Sequence, residues 1–158
     1  MIKLLCVGKL REAHWLFACA EYEKRLARYT RLEITEVAEE KAPETLSPAQ
    51  RAQVKRLEGA RLLEKTAEGD FVVALAPEGA RLSSEAFAQK LALWEGTGRG
   101  RVAFLIGGSL GLSDEALARA DFTLSFSEMT FPHQLFRAML LEQVYRAFRI
   151  NANEPYHK

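Results

Sequence analysis

Two short loops hold residues whose types and spacing could do chemistry. The first is Gly107-Gly108-Ser109-Leu110-Gly111, directly after the apolar run Val102-Ala103-Phe104-Leu105-Ile106. The second is Glu128-Met129-Thr130-Phe131-Pro132-His133, directly after Phe122-Thr123-Leu124-Ser125-Phe126-Ser127. Glycines at a strand end let a ligand approach the backbone and permit positive φ, although a tight turn needs them equally. A branched side chain at Gly108 is expected to block such an approach and leave the fold intact. Phe131 cannot cap a helix, so a helix opening at Pro132 leaves nearby amides to loop contacts or to a ligand. Met129 and Phe131 offer apolar walls for a flat ring, or belong simply to the core. For His133 a structural hydrogen bond is preferred over a role as base or as a ligand contact. The tail, Asn151 to Lys158, carries a Tyr156-His157 pair. Tyr, His, Asn and Arg can hold a planar imide and take its proton, though terminal residues are usually idle.

The rest of the chain reads as support for these loops. Ile2 to Val7 is a buried strand closed by Gly8, and Trp15 to Tyr29 is a helix with Leu16, Cys19, Tyr22 (or Glu23) and Leu26 inward. Leu32 to Val37 alternates apolar and polar, which suits a strand near a sheet edge. An acidic linker from Glu39 to Leu46 follows. Ser47-Pro48 then opens a helix to about Thr66 with Val54, Leu57, Leu62 and Leu63 inward. Its Arg51, Lys55, Arg56 and Arg61 read as surface. Phe71 to Ala76 is apolar throughout, a central strand covered on both faces. Ser83 or Ser84 caps a helix with Phe87, Leu91 and Trp94, and Ser113 with Asp114 and Glu115 opens a short one. In the last helix Phe136, Leu140, Val144 and Phe148 form one stripe, while Leu135 and Met139 fall on another face that suits a second subunit. Strands alternating with helices argue for an α/β fold, a mostly parallel sheet of five to six strands with helices on both faces. Ligands then sit beyond the carboxyl ends of the strands.

Composition sets the bounds. A length of 158 residues suits one domain, 1–158, with a core that needs no staples. Two cysteines, Cys6 and Cys19, are too few for a disulfide framework or a zinc site, which points to a reducing, cytoplasmic setting without a metal. No run has signal-peptide or transmembrane character, and a net charge of +1 confines any RNA-binding surface to a local patch. The glycine loop is not the dinucleotide fingerprint, and no phosphate-binding Gly-Lys-Ser/Thr motif occurs. A signalling receiver domain would need an acidic cluster after the first strand and an Asp ending the third. The residues there are Cys6-Val7-Gly8 and Ala74-Leu75-Ala76.

Taken together, Leu105-Ile106-Gly107-Gly108-x-x-Gly111-Leu112-Ser113, Thr130-Phe131-Pro132-His133, Arg137, Tyr145-Arg146-Ala147 and Asn153-x-Pro155-Tyr156-His157 carry a resemblance over the whole chain. The sequence resembles the RlmH family, bacterial 23S rRNA pseudouridine N3-methyltransferases of the SPOUT superfamily. It departs from that pattern mainly in the acidic linker. The resemblance implies a C-terminal deep trefoil knot, a homodimer, and S-adenosylmethionine as cofactor. It implies cofactor contacts at Leu75, Gly107, Gly108, Ser127, Glu128, Met129, Thr130, Phe131 and Pro132. Arg146 becomes the candidate for stabilising an anion on the base, with Tyr156 and His157 as candidates for base orientation or proton removal. The expected substrate is 23S rRNA within the ribosome. A non-catalytic ribosome- or RNA-binding module that keeps the pocket is the alternative.

Overall fold

The computed structural model describes residues 1–97 and 100–155. Tyr156 and His157 therefore lie outside the described residues. Five strands alternate with five helices: β1 Ile2–Val7, α1 Ala13–Leu26, β2 Leu32–Val37, α2 Pro48–Leu63, β3 Asp70–Arg81, α3 Ser84–Glu95, β4 Arg101–Ile106, α4 Asp114–Arg119, β5 Phe122–Ser125 and α5 His133–Asn151. The strands form one sheet in the order β2-β1-β4-β3-β5, with every pairing parallel. The expected architecture is present, with the alternating strand at an edge.

Side chains alternate across the sheet because the strand period is two. Ile2, Leu4 and Cys6 join Val102, Phe104 and Ile106 under α1, α3 and α5. Leu5 and Val7 join Ala103 and Leu105 under α2 and α4. Phe104 is fully buried, and covering a side chain of that size contributes about 2–3 kcal/mol. Ser47 caps α2 in a reciprocal capping box with Gln50, and Pro48 follows at the first helical position. Ser83, not Ser84, caps α3.

Three inward assignments change. Packing along α1 starts at Ala18 and Cys19, so Leu16 and Phe17 remain exposed, Phe17 by 77%. On α2 the buried face is Val54, Glu58, Gly59 and Leu62, which turns Leu57 outward, and the helix stops at Leu63. On α5 the buried face includes Arg137, Leu141 and Tyr145 beside Leu140 and Val144. A period of 3.6 drifts away from a strict repeat of four, and this releases Phe136 from the sheet contact, while Phe148 is partly buried and still packs against the core.

At the amino end of the sheet, Asp70 is fully buried. It accepts from Lys3 Nζ at 2.9 Å and from the Ala67 amide at 2.9 Å, and Arg101 Nε stands 2.7 Å away. Burial alone would raise its carboxyl, but the Ala67 amide, Lys3 and Arg101 outweigh it and hold Asp70 below the usual carboxylate range. A depressed pKa gives stability that is complete above the unfolded value of about 3.9 and is lost as pH falls through the folded value. Asp70→Asn should therefore cost about 3 kcal/mol at neutral pH, by stranding the Lys3 ammonium, and should flatten the acid limb of a stability–pH curve. Urea unfolding between pH 7 and acid measures both, and an unchanged acid limb would count against this network.

Candidate functional site

Three strands end side by side at the carboxyl edge, and their loops enclose a cavity of about 410 Å³. Leu75 and Ala80 both register on Leu124 of β5, so residues 76–79 loop out of the ladder between them. That excursion forms one wall with Ala76, Pro77 and Glu78. It closes tightly because Gly79 packs on β5, where a Cβ would stand 2.6 Å from the Leu124 carbonyl carbon. The second wall is the glycine loop, pinched by a bridge between Gly108 and Gly111, with Gly111 at φ +84°. The third is the loop after β5. There Ser127 Oγ accepts the Met129 amide at 3.0 Å, and Ser125 Oγ donates to the Ser127 carbonyl at 3.1 Å. Phe136, released from the sheet, closes the inner end with Phe126 and Phe131 at ring distances of 5.3 and 5.8 Å.

Of the residues expected at a cofactor, Leu75, Gly107, Gly108, Ser127, Met129, Thr130 and Phe131 line this cavity. Glu128 does not, because its exposed carboxylate turns out to Arg81 at 2.8 Å. Pro132 stands exposed at the N-cap of α5, one residue before the helix proper, and also lies outside the lining. His133 does line it. Burial, then the Arg137 charge, hold this imidazole below its ordinary value, so it is neutral at pH 7 and has a nitrogen free to accept. Lys55 from α2, read as surface, and Glu78 add opposite charges to the lining. A single cation on a helix facing a loop leaves no periodic signal, which is why the sequence pattern does not expose Lys55. Burial pushes the Cys6 thiol up to about 12, so it is not a nucleophile at neutral pH.

Of the two readings of the glycines, the tight turn fits the structure and ligand clearance does not. A Cβ on Gly107 would stand 2.6 Å from the Gly111 carbonyl carbon and 2.9 Å from the Leu112 nitrogen. A Cβ on Gly108 would stand 2.9 Å from Glu58 Oε2 and 3.1 Å from Val7 Cγ1, neither of which belongs to the lining. Both directions lead into protein, so these glycines permit the loop to close and do not clear space for a ligand. Gly107→Ala should cost about 1–3 kcal/mol of stability, since backbone on the far side cannot give way. Denaturant titration alongside ligand calorimetry tests this. A variant as stable as wild type that has lost only binding would restore the original reading.

Arg137 organises the approach to the cavity from below. It is 2% exposed, and donates to Glu36 Oε1 at 2.5 Å, to the Gly8 carbonyl at 2.5 Å and to the Val7 carbonyl at 3.2 Å. One side chain on α5 thereby ties together the ends of β1 and β2.

Arg146 is not at the cavity. It lies ten residues beyond Phe136 on the same helix, about 15 Å along the axis. There Glu142 receives its Nε at 2.9 Å and one terminal nitrogen at 2.6 Å. At the end of α5, Asn153 takes φ 54°, and the Asn153 and Glu154 amides donate back to Ile150 and Arg149. This is a Schellman closure. Glu154 then accepts from the Tyr29 hydroxyl at 2.5 Å and pairs with Arg149 Nε at 2.7 Å. The tail thus leaves from the amino end of the sheet, beside the entry to β2.

A family model described as "Predicted SPOUT methyltransferase" matches residues 1–157. The chain is 53% identical over 157 residues to the ribosomal RNA large subunit methyltransferase H of Bifidobacterium animalis subsp. lactis, covering 99% of each. It is 52% identical over 157 residues to the protein of that name from Bacillus cytotoxicus, again covering 99% of each. Among solved structures, a methylase family protein from Haemophilus influenzae aligns with a TM-score of 0.51 at 12% identity, over 96% of this chain and 66% of that one. A methyltransferase from Legionella pneumophila, solved with bound cofactor SAM, aligns at 0.50 and 14% identity over 92% of this chain. This chain spans 65% of the Legionella protein, so it is about two thirds the length of either structural neighbour.

Proposed function

Because the chain belongs to the SPOUT methyltransferase family, matched from residue 1 to 157, we propose that it methylates N3 of a pseudouridine in 23S rRNA. The methyl donor is S-adenosylmethionine, the substrate is the assembled ribosome, and the whole of 1–158 forms the methyltransferase domain. The observation that carries this reading is identity above 50%, over 99% of both chains, to proteins named ribosomal RNA large subunit methyltransferase H.

The cavity fits the cofactor. Its volume lies in the range of small-molecule sites. Leu75, Ile106 and Leu112 offer apolar surface to an adenine ring, while Lys55 and Glu78 can meet an amino-acid carboxylate and a positive sulfur or ammonium. When bound, the cofactor supplies an electrophilic methyl group on a sulfonium. The chain's part is to hold the base so that N3 faces that methyl, to exclude water, and to lower the cost of removing the N3 proton. A guanidinium beside the base carbonyls stabilises the anion that develops on the imide, the role proposed for Arg146. Tyr156 and His157 orient the base or accept the proton.

These groups come from a second subunit. Within one chain α5 starts at the cavity with His133 and runs 19 residues, about 27 Å, to the opposite end of the sheet. Glu154 is held there by Tyr29 and Arg149, and the few residues after Pro155 span about 11 Å at full extension. Their own chain's cavity lies beyond that span, which favours a partner's cavity as the one they serve. The exposed Leu16 and Phe17 of α1 and the half-buried Leu135 and Met139 of α5 supply an apolar face for a two-fold homodimer.

The proposed trefoil knot has support from the path of the chain. From Ser125 on the edge strand to Arg137 beside β1, residues 126–136 pass the ends of β3 and β4, about 14 Å at ordinary strand spacing. They do so among the loops at 76–79 and 107–112. The deciding experiment is transfer of labelled methyl from S-adenosylmethionine to intact ribosomes, with the modified base identified by mass spectrometry. Absence of any transfer to ribosomes would overturn the reading.

A further inference from the structure

A second recess, of about 650 Å³, opens at the carboxyl ends of β1 and β2. Gly8, Val37 and Ala38 contribute to its lining with Lys9, Arg11 and Lys41, and Ser109 of the glycine loop lies in this lining and in that of the cofactor cavity. The two spaces therefore adjoin across a single loop. We propose that this recess takes the phosphodiester backbone of the RNA that carries the target base. The inference rests on the RNA-methyltransferase reading and extends it to a named contact surface.

The charge balance at the recess carries the argument. The linker reads as acidic, yet of the three carboxylates in the lining, Glu36, Glu39 and Glu40, two are engaged within the chain. Glu36 is engaged by Arg137, and Glu40 by Arg61, whose other terminal nitrogen donates to the Ala38 carbonyl at 2.9 Å. Glu39 alone in the lining has no cationic partner among the described residues, and it folds over Gly8, 3.0 Å from where a Cβ would stand. Lys9, Arg11 and Lys41 are all exposed, and none makes an ion pair among the described residues. Three unengaged cations thus face one unengaged carboxylate.

Their placement favours a polyanion over a single anion. Lys9 and Arg11 stand on the loop from β1 to α1, and Lys41 stands across the recess on the loop from β2 to α2. A chain of phosphates can run between two such loops, with each phosphate met by a separate cation. The base to be methylated must enter the adjoining cavity from outside, so the phosphates flanking it fall near its rim. Arg61, Glu58 and Arg137 pin the loops that carry these cations. The recess is consequently formed before the RNA arrives.

The test compares wild type with the triple variants Lys9→Glu/Arg11→Glu/Lys41→Glu and Lys9→Gln/Arg11→Gln/Lys41→Gln. Ribosome binding is measured across salt from about 50 to 200 mM. Each lost phosphate contact removes close to one from the slope of log affinity against log salt, so the glutamine variant should lose about 2–3. Calorimetry should show S-adenosylmethionine affinity unchanged in both variants, because none of the three residues lines the cofactor cavity. A photocrosslinker on Lys41→Cys should join rRNA. An unchanged slope in both variants, wild type without salt-dependent ribosome binding, or crosslinks confined to ribosomal protein would each overturn the proposal. If wild type shows the slope, the variants lose it, and no methyl is transferred, the recess stands and the methyltransferase reading falls.

Discussion

Truncation after Pro155 should lower methyl transfer to ribosomes by about 10²- to 10⁴-fold, the range for lost acid–base or positioning groups, with cofactor affinity kept within a few-fold. The cut removes Tyr156, His157 and Lys158 but keeps Glu154, whose bonds to Tyr29 and Arg149 close the end of α5. A loss of activity therefore cannot be assigned to a frayed helix. Because α5 ends about 27 Å from its start at the cavity of its own chain, the defect should be complemented between subunits. Mixing the truncated chain with a Leu75→Trp variant, whose cavity is filled but whose tail is intact, should restore about a quarter of wild-type activity. Half of the randomly assorted dimers then pair one of each, and each of those has one complete site. Complementation by no dimer, with both variants shown to assemble, would rule out a shared site. Wild-type rates from the truncated protein would remove Tyr156 and His157 from the chemistry and leave Arg146 and His133 as the groups to examine.

Arg137→Ala should destabilise the chain by about 3 kcal/mol, near the low end for breaking a buried ion pair. The low end applies because Glu36 keeps 30% of its side-chain surface and can be rehydrated. The Val7 and Gly8 carbonyls, in contrast, lose a charged donor in a buried setting. For a chain of this length the cost corresponds to a fall in Tm of about 10 °C. Arg137→Lys should recover only part of it, since an ammonium lacks the planar fork that reaches Glu36 and the β1 carbonyls together. Cofactor affinity should fall with stability, because Phe136, one residue earlier, closes the cavity and shares the displaced first turn of α5. Urea unfolding that places Arg137→Ala within 1 kcal/mol of wild type would show that α5 is positioned by its apolar face alone.

The chain's own pattern determined a good deal. Val102 to Ile106 and Phe71 to Ala76 are continuous apolar runs because both faces of a central strand are covered, and both strands are central. Leu32 to Val37 alternates because it lies at an edge. Ser47, Ser83 and Ser113 mark helix starts because each hydroxyl accepts the otherwise orphaned amide three residues on. The two strand-end loops stand out as a site for a similarly local reason: glycines follow β4 directly, and a Phe-Pro pair is placed where α5 would ordinarily be capped.

Tertiary structure decided everything that depends on which direction a side chain leaves the backbone. Gly107 and Gly108 look like clearance for a ligand until the positions of Gly111, Glu58 and Val7 show that their missing Cβ atoms make room for protein. Glu128 adjoins the site in sequence and turns away from it, while Lys55, some 50 residues before the glycine loop, turns in. An acidic linker borders the cationic recess because Arg61 of α2 pairs with its Glu40 and Arg137 of α5 pairs with Glu36 at the end of β2. Distance along a helix separates Arg146 from the cavity that the same chain builds. Composition and period are local quantities, set by the next few residues. Charge balance, clearance and reach are sums over neighbours that only the packed chain brings together.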